Sequence, residues 1–387
     1  MKYEIIDAED QQAVIKVVGV GGGGGNAVNY MMECNIDGVE FISANTDAQA
    51  MQAATAPTIL QLGRNQTKGL GAGADPDIGR QAAIEDRELI ADVLSGSDMV
   101  FITAGMGGGT GTGAAPIFAE IAKDVGALTV AVVTRPFRFE KRDKVAELGL
   151  QQLKQSVDSL ITIPNEKLLE VMGKDASLKD AFSQANNVLA SAVQGISELI
   201  TRPGLINVDF ADVRTVMSEM GDAMMGSSSA TGANRAEEAT RDALSSPLLE
   251  EARVSEAKGI LVNVTAADLT IGEYSQVGSM IEEMASDNAN VVIGTTVDDT
   301  IGDELRVTMV ATGIEKAKSQ SVNKSPQTKP VEVVRQIGKA VGGYESVDDN
   351  EDLLFHPRSA LSGDLPPASD FDGDEYDIPT ILREQHD

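Results

Sequence analysis

The sequence predicts an α/β protein. A doubly wound parallel sheet is joined by a long central helix to a smaller α/β domain, with a disordered tail behind it. Three observations predict this. Over roughly the first 200 residues, β-branched runs alternate with longer amphipathic stretches, as parallel strands alternate with helical crossovers. One apolar periodicity then runs unbroken through Leu178, Phe182, Leu189, Val193, Ile196 and Ile200. Beyond Glu315 the periodicity stops in a stretch rich in Ser, Lys, Gln, Gly and acidic residues.

The runs 14–20, 39–45, 99–104, 128–134 and 159–164 read as strands, with helical patterns such as 78–94 and 114–125 between them. Several crossovers in a row imply a doubly wound sheet. Residues 178–201 read as one helix, stopped by Arg202, Pro203 and Gly204. At 1.5 Å per residue it spans about 35 Å, enough to cross a domain. Further on, 258–264, 290–296 and 305–312 read as strands and 274–286 as a helix. The expected organisation is a first α/β domain over 12–177, the central helix over 178–202 and a C-terminal α/β domain over 203–315. A linker over 316–374 and a terminal peptide over 375–387 follow.

Composition excludes several functions. The formal charge of −29 argues against nucleic acid as a partner, because phosphate backbones need basic surface. The single cysteine, Cys34, allows no internal disulfide, and with only two histidines there is no zinc-ligand set. No run reaches the roughly 18 apolar residues of a membrane-spanning helix, so no direct membrane insertion is expected. Met1 to Asp10 has no apolar stretch like that of a secretory signal, and a cytoplasmic protein is expected. Any polyanionic ligand must therefore be held by local devices, of which glycine-rich loops and a divalent cation are the ones to seek.

Two such loops are present. Gly21 to Gly25 follow the first strand directly and precede a helix beginning near Asn26. Glycines there let backbone amides close around an anion, and the helix N-terminus adds partial positive charge. Gly19, Gly21 and Gly24 also satisfy G-x-G-x-x-G, so this loop alone favours a dinucleotide oxidoreductase, with a flexible turn as the bland alternative. The second loop, Gly107, Gly108, Gly109, Thr110, Gly111, Thr112, Gly113, again follows a strand and opens a helix. Two loops can wrap a triphosphate from two sides. No G-x-x-x-x-G-K-[ST] occurs, so charge neutralisation falls to amide dipoles and a metal such as Mg²⁺.

Asn207, Asp209 and Asp212 lie between the long helix and another pattern, 210–217. As structural residues, Asp209 caps that helix and Asp212 sits in its first turn. Three residues apart, the carboxylates also share one side of the turn, where they could orient a water or hold a cation. Near the end of the chain, Glu345 to Asp377 holds eleven acidic residues against one Arg. The closing segment from Tyr376 to Arg383 then regains apolar character at helical spacing, which suits a docking peptide on a solvated tether.

At GGGTGTG the chain resembles the tubulin/FtsZ family of GTPases. Gly22, Gly23, Gly24, Gly25 and Asn26 are similar to that family's first phosphate loop. Asn45-Thr46-Asp47 and Gly71-Ala72-Gly73 are similar to its second and third, and Pro136-Phe137 to part of its fifth. Asn207 to Asp212 resembles its catalytic loop, and YDIPTILR its bacterial tail peptide. The resemblance covers roughly residues 12 to 315 and the tail.

It implies GTP/GDP and Mg²⁺ as ligands, phosphate contacts from Gly22 to Asn26 and Gly109 to Gly111, and Glu140 and Arg142 at the ribose or γ-phosphate. It implies Phe182 and Asn186 at the guanine, and head-to-tail assembly with Asp209 and Asp212 polarising water in the next subunit's pocket, supported by Asn207. It also implies a division ring at mid-cell, with the tail binding membrane-anchoring division proteins such as FtsA or ZipA. Two departures stand out. The loop at Glu140 is about two residues short, so that Lys144 competes with Arg142 for the cationic role, and Asn186-Asn187 stands where many relatives carry an Asp. The alternatives left open are the dinucleotide oxidoreductase and a nucleotide-gated scaffold without turnover.

Overall fold

The computed structural model describes residues 13–173, 176–202, 204–219, 221–249 and 254–314. The linker and terminal peptide expected from the sequence lie outside the described residues.

Six strands stand in parallel in the order β3-β2-β1-β4-β5-β6: β1 (Ile15–Val20), β2 (Val39–Asn45), β3 (Thr58–Gln61), β4 (Met99–Gly105), β5 (Leu128–Arg135) and β6 (Ser159–Pro164). Both faces are covered, which is why the central strands β1, β4 and β5 are buried along almost their whole length rather than at alternate residues. In β4, Phe101 enters the core beneath α1 (Gly21–Glu33), while its neighbour Ile102 enters the core on the opposite face. That second core is filled from α4 (Pro76–Glu85), α5 (Arg87–Leu94), α6 (Thr110–Asp124) and α7 (Asp143–Ser156), numbered after the short turns α2 (Ala48–Met51) and α3 (Arg64–Thr67). The chain leaves β1 in one direction and β4 in the other, so the sheet's switch point falls between them, where such folds place ligands.

The pattern expected as one helix over 78–94 is two. Asp86 leaves the helical region (φ −104°, ψ 22°) while its carboxylate accepts the Gly63 amide at 2.6 Å. The tertiary hydrogen bond breaks the helix where periodicity alone continues it.

After α8 (Asn165–Met172), the helix α9 (Leu178–Thr201) is capped by Ser177, whose hydroxyl accepts the Asp180 amide at 3.1 Å. Its buried side carries Ala185, Leu189, Val193 and Ile196 into the core beneath β1 and β4, and Leu199 reaches β9 through Gly294. Behind it come α10 (Phe210–Met217), β7 (Asp222–Thr231), α11 (Arg235–Leu244), β8 (Gly259–Ala266), α12 (Ile271–Met284), β9 (Asn290–Val297) and β10 (Glu304–Ile314). β10 pairs antiparallel with β7 and β8, and β8 pairs parallel with β9. Two residue pairs, Leu160 with Asp222 and Ile161 with Ala223, join β6 to β7, so ten strands among the described residues form one sheet.

Neither β3 nor β7 is evident from sequence. β7 carries Gly226 and three serines, residues of weak strand preference, and is held by its full-length register against β10. The α12 helix starts before the expected 274 because Thr270 and Glu273 form a reciprocal capping box.

Candidate functional site

The two glycine loops meet at the switch point. Gly21 opens α1 at φ +74°, and a Cβ there would lie 2.8 Å from the Gly111 amide nitrogen, so the starts of α1 and α6 touch backbone to backbone. Both helices thus present their unpaired N–H groups and positive dipole ends to one crevice. That crevice, a pocket of about 380 Å³, is lined by Gly22, Gly23 and Asn26 from the first loop and by Gly108, Gly109, Thr110 and Gly111 from the second. Glu140 and Arg142 line it from the segment after β5, and Phe182 and Asn186 from the first turns of α9.

The other expected glycines sit behind this surface. Gly24 is buried, and a Cβ there would stand 2.3 Å from the Thr103 carbonyl of β4, so it serves the approach of α1 to the sheet. Gly25 packs toward the Ser43 hydroxyl. Gly107 donates its N–H to the Thr112 hydroxyl at 2.8 Å and shapes the turn. Gly71, Ala72 and Gly73 border the second loop rather than line the pocket: a Cβ on Gly109 would meet that of Ala72 at 2.8 Å. Thr46 connects these loops, its hydroxyl 2.6 Å from that of Thr110 and its carbonyl accepting the Gly71 amide at 3.3 Å.

The segment after β5 closes with a single 3₁₀ turn, Arg138–Glu140. The Glu140 carboxylate accepts the Phe137 amide at 2.9 Å, and Lys141 takes the left-handed conformation (φ +56°), which brings Arg142 back to the pocket within a short loop. Arg142 lines the pocket and Lys144 is not among its lining residues. Arg135 is committed elsewhere, to Asp143 at 2.6 Å and Glu147 at 3.1 Å. Its hydrogen bond holds the Asp143 carboxyl below the usual carboxylate range.

At the far wall Phe182 is half-exposed and stands edge-on to Phe137, with centroids 5.4 Å apart. Asn186 faces the pocket, while Asn187 accepts a hydrogen bond from the Tyr30 hydroxyl at 3.2 Å. Sequence reasoning missed Asn165. It opens α8 directly after β6, is 4% exposed, lines the pocket, and its Oδ1 is without a hydrogen-bond partner. A buried carbonyl oxygen of that kind costs stability unless a ligand supplies a donor. The available signal was positional, a polar residue at the carboxyl end of a parallel strand.

Asn207, Asp209 and Asp212 are not part of this pocket's lining. Asp209 caps α10 by accepting the Asp212 amide at 2.8 Å, and Asn207 accepts the Gly204 amide at 2.7 Å. Asp212 is exposed in the first turn of α10, which follows the loop that leaves α9. Leu205 and Ile206 beside it are exposed apolar residues.

Residues 14–173 match the model of the tubulin/FtsZ family GTPase domain, and residues 221–315 match the FtsZ family C-terminal domain. The chain is 56% identical to the cell division protein FtsZ of Pseudomonas aeruginosa, over 100% of both chains. It is 61% identical to that of Buchnera aphidicola subsp. Schizaphis graminum, over 83% of this chain and 85% of the relative. Among solved structures, an FtsZ dimer of M. jannaschii superposes with a TM-score of 0.75 at 46% identity, covering 79% of this chain and 89% of that one. The CetZ2 protofilament of Haloferax volcanii has the same fold, with a TM-score of 0.68 at 19% identity over 79% of this chain and 94% of that one.

Proposed function

The chain belongs to the FtsZ branch of the tubulin/FtsZ family, and from that premise we propose how its residues share the work. It is a GTP-binding and GTP-hydrolysing tubulin-like cytoskeletal protein of cell division that self-associates. In our reading the amides of Gly22, Gly23, Gly109, Thr110 and Gly111 hold the nucleotide phosphates, and Arg142 supplies the cation beside them. Glu140 meets the ribose side. Phe182 stacks on the guanine while Asn186 and Asn165 hydrogen-bond its edge.

One observation carries this reading: the N-termini of α1 and α6 touch at the switch point, so two sets of backbone donors face one pocket. A dinucleotide oxidoreductase leaves the second set without a purpose.

Among the described residues no cluster of three or more His, Cys, Asp or Glu is poised to hold a metal. Mg²⁺ commonly arrives with phosphates and keeps few protein ligands, and this pocket, whose one lining carboxylate among the described residues is Glu140, fits that mode. The ion would neutralise phosphate charge.

The carboxylates of Asp209 and Asp212 lie off the pocket in their own chain, which supports head-to-tail assembly in which they enter the pocket of the next subunit and orient the attacking water. Asn207 holds their loop. No helix among the described residues is long and apolar enough to cross a membrane. In our reading the protein acts in the cytoplasm at mid-cell, and its terminal peptide reaches membrane-anchoring division proteins such as FtsA or ZipA. Asp212→Ala tests the division of labour. GTP affinity should stay within about twofold while turnover falls at least tenfold, and equal loss of both would place Asp212 in its own chain's pocket.

A further inference from the structure

Thr46 is fully buried at the end of β2, and its side chain points at a single functional group, the Thr110 hydroxyl 2.6 Å away. Its carbonyl accepts the Gly71 amide at 3.3 Å and lies 3.2 Å from the Thr67 hydroxyl, whose one proton it shares with the Gly63 carbonyl at 3.0 Å. Thr46 is therefore fixed from both sides. Its hydroxyl faces that of Thr110 inside the protein, and Thr110 in turn lines the pocket.

A hydroxyl pair of this kind has two polarities. Each oxygen carries one proton, so either Thr46 donates to Thr110 or the reverse. If Thr110 donates inward, it shows only lone pairs to the pocket, which repels an anion. If Thr46 donates, the Thr110 proton is left to point outward, as a donor strengthened by the bond behind it. An anionic ligand selects the second polarity.

Resting on the phosphate-cradle reading above, we infer that Thr46 is a positioning residue, which orders the Thr110 hydroxyl so that its proton is aimed at a nucleotide phosphate. It touches no ligand itself. The contribution belongs to phosphate recognition and not to the guanine wall, where Phe182 and Asn186 lie on α9.

The test measures GDP and guanosine affinity of the full chain carrying Thr46→Val, Thr46→Ser, Thr110→Val, or both valines. Thr46→Val should weaken GDP about tenfold and guanosine less than twofold. Thr46→Ser should bind GDP within about twofold of the parent, and Thr46→Val should add nothing in the Thr110→Val background. Equal weakening of GDP and guanosine, or a serine variant as poor as the valine, would overturn the inference by showing a packing role. So would normal GDP binding by Thr46→Val when Thr110→Val binds poorly. Normal GDP binding by Thr110→Val would instead overturn the phosphate-cradle reading at Thr110, and this inference with it. Should Thr46→Val lose its thermal transition, Thr46→Ala carries the same comparison.

Discussion

The Asp209 carboxylate accepts the backbone N–H of Asp212 at 2.8 Å. One of the two acidic residues assigned to water activation thus also caps α10, while Asp212, three residues on, has no such duty. The two should separate in experiment. Asp209→Ala should cost about 1 kcal/mol of stability, whereas Asp209→Asn keeps a capping oxygen and should cost a few tenths at most. Both should lose turnover, and Asp212→Ala should lose turnover at unchanged stability. Chemical denaturation beside steady-state GTPase assays reads both quantities. Full turnover in Asp209→Asn would confine Asp209 to capping.

Gly22 and Gly24, two residues apart, should behave oppositely. A Cβ at Gly24 would stand 2.3 Å from a backbone carbonyl of β4, whereas one at Gly22 meets nothing within 4 Å. Gly24→Ala should therefore destabilise the nucleotide-free protein by about 2 kcal/mol or more, in the range of overpacked cores. Gly22→Ala should melt normally and lose GTP affinity, because its methyl enters the phosphate side of the pocket. Melting curves with and without nucleotide distinguish the two, and a destabilised Gly22→Ala would contradict the assignment.

Asn165 should show affinity and stability moving in opposite directions. Replacing its amide, whose buried oxygen has no partner, with Leu removes a desolvation cost in the empty protein. Asn165→Leu should accordingly melt at the same temperature or higher without nucleotide, yet bind GDP about tenfold more weakly. Unchanged affinity would remove Asn165 from the guanine wall.

Away from the pocket, Arg235 ties α11 to α12 through Glu273, with Nε 2.7 Å from Oε1. That bond, joined by the Thr270 amide and hydroxyl and opposed by partial burial, lowers the Glu273 carboxyl from 4.5 to about 2. A carboxyl depressed in the folded state stabilises the fold above its unfolded pKa. That contribution is lost as pH falls from about 4.5 toward 2. Glu273→Gln should lower stability by about 2 kcal/mol at neutral pH, as for a lost charged hydrogen bond, and flatten this part of the acid limb. An acid limb as steep as the parent's would contradict the assignment.

The glycine loops were legible because the need of a backbone to approach an anion is written directly as residue type. The doubly wound parallel sheet followed from crossovers of helical length, whereas the short strand β3, four residues with two polar ends, carried no such pattern. β7 was hidden because its serines pair with β10 only once the chain has folded. Asn165 carried no motif, since its significance lies in an oxygen left without a donor at a strand end. The split at Asp86 depended on Gly63, distant in sequence. The shortened loop at Glu140 was visible, but that Arg142 rather than Lys144 lines the pocket depended on the left-handed turn at Lys141.

In our reading, turnover depends on completion of one subunit's pocket by Asp209 and Asp212 of another. That dependence is tested most directly by GTPase rate per subunit as a function of protein concentration, in the presence of Mg²⁺, with light scattering recorded alongside. A rate near zero in dilute protein that rises above a threshold together with scattering is the predicted result. A specific rate constant at every concentration would mean that one chain holds the whole active site, and would contradict the account.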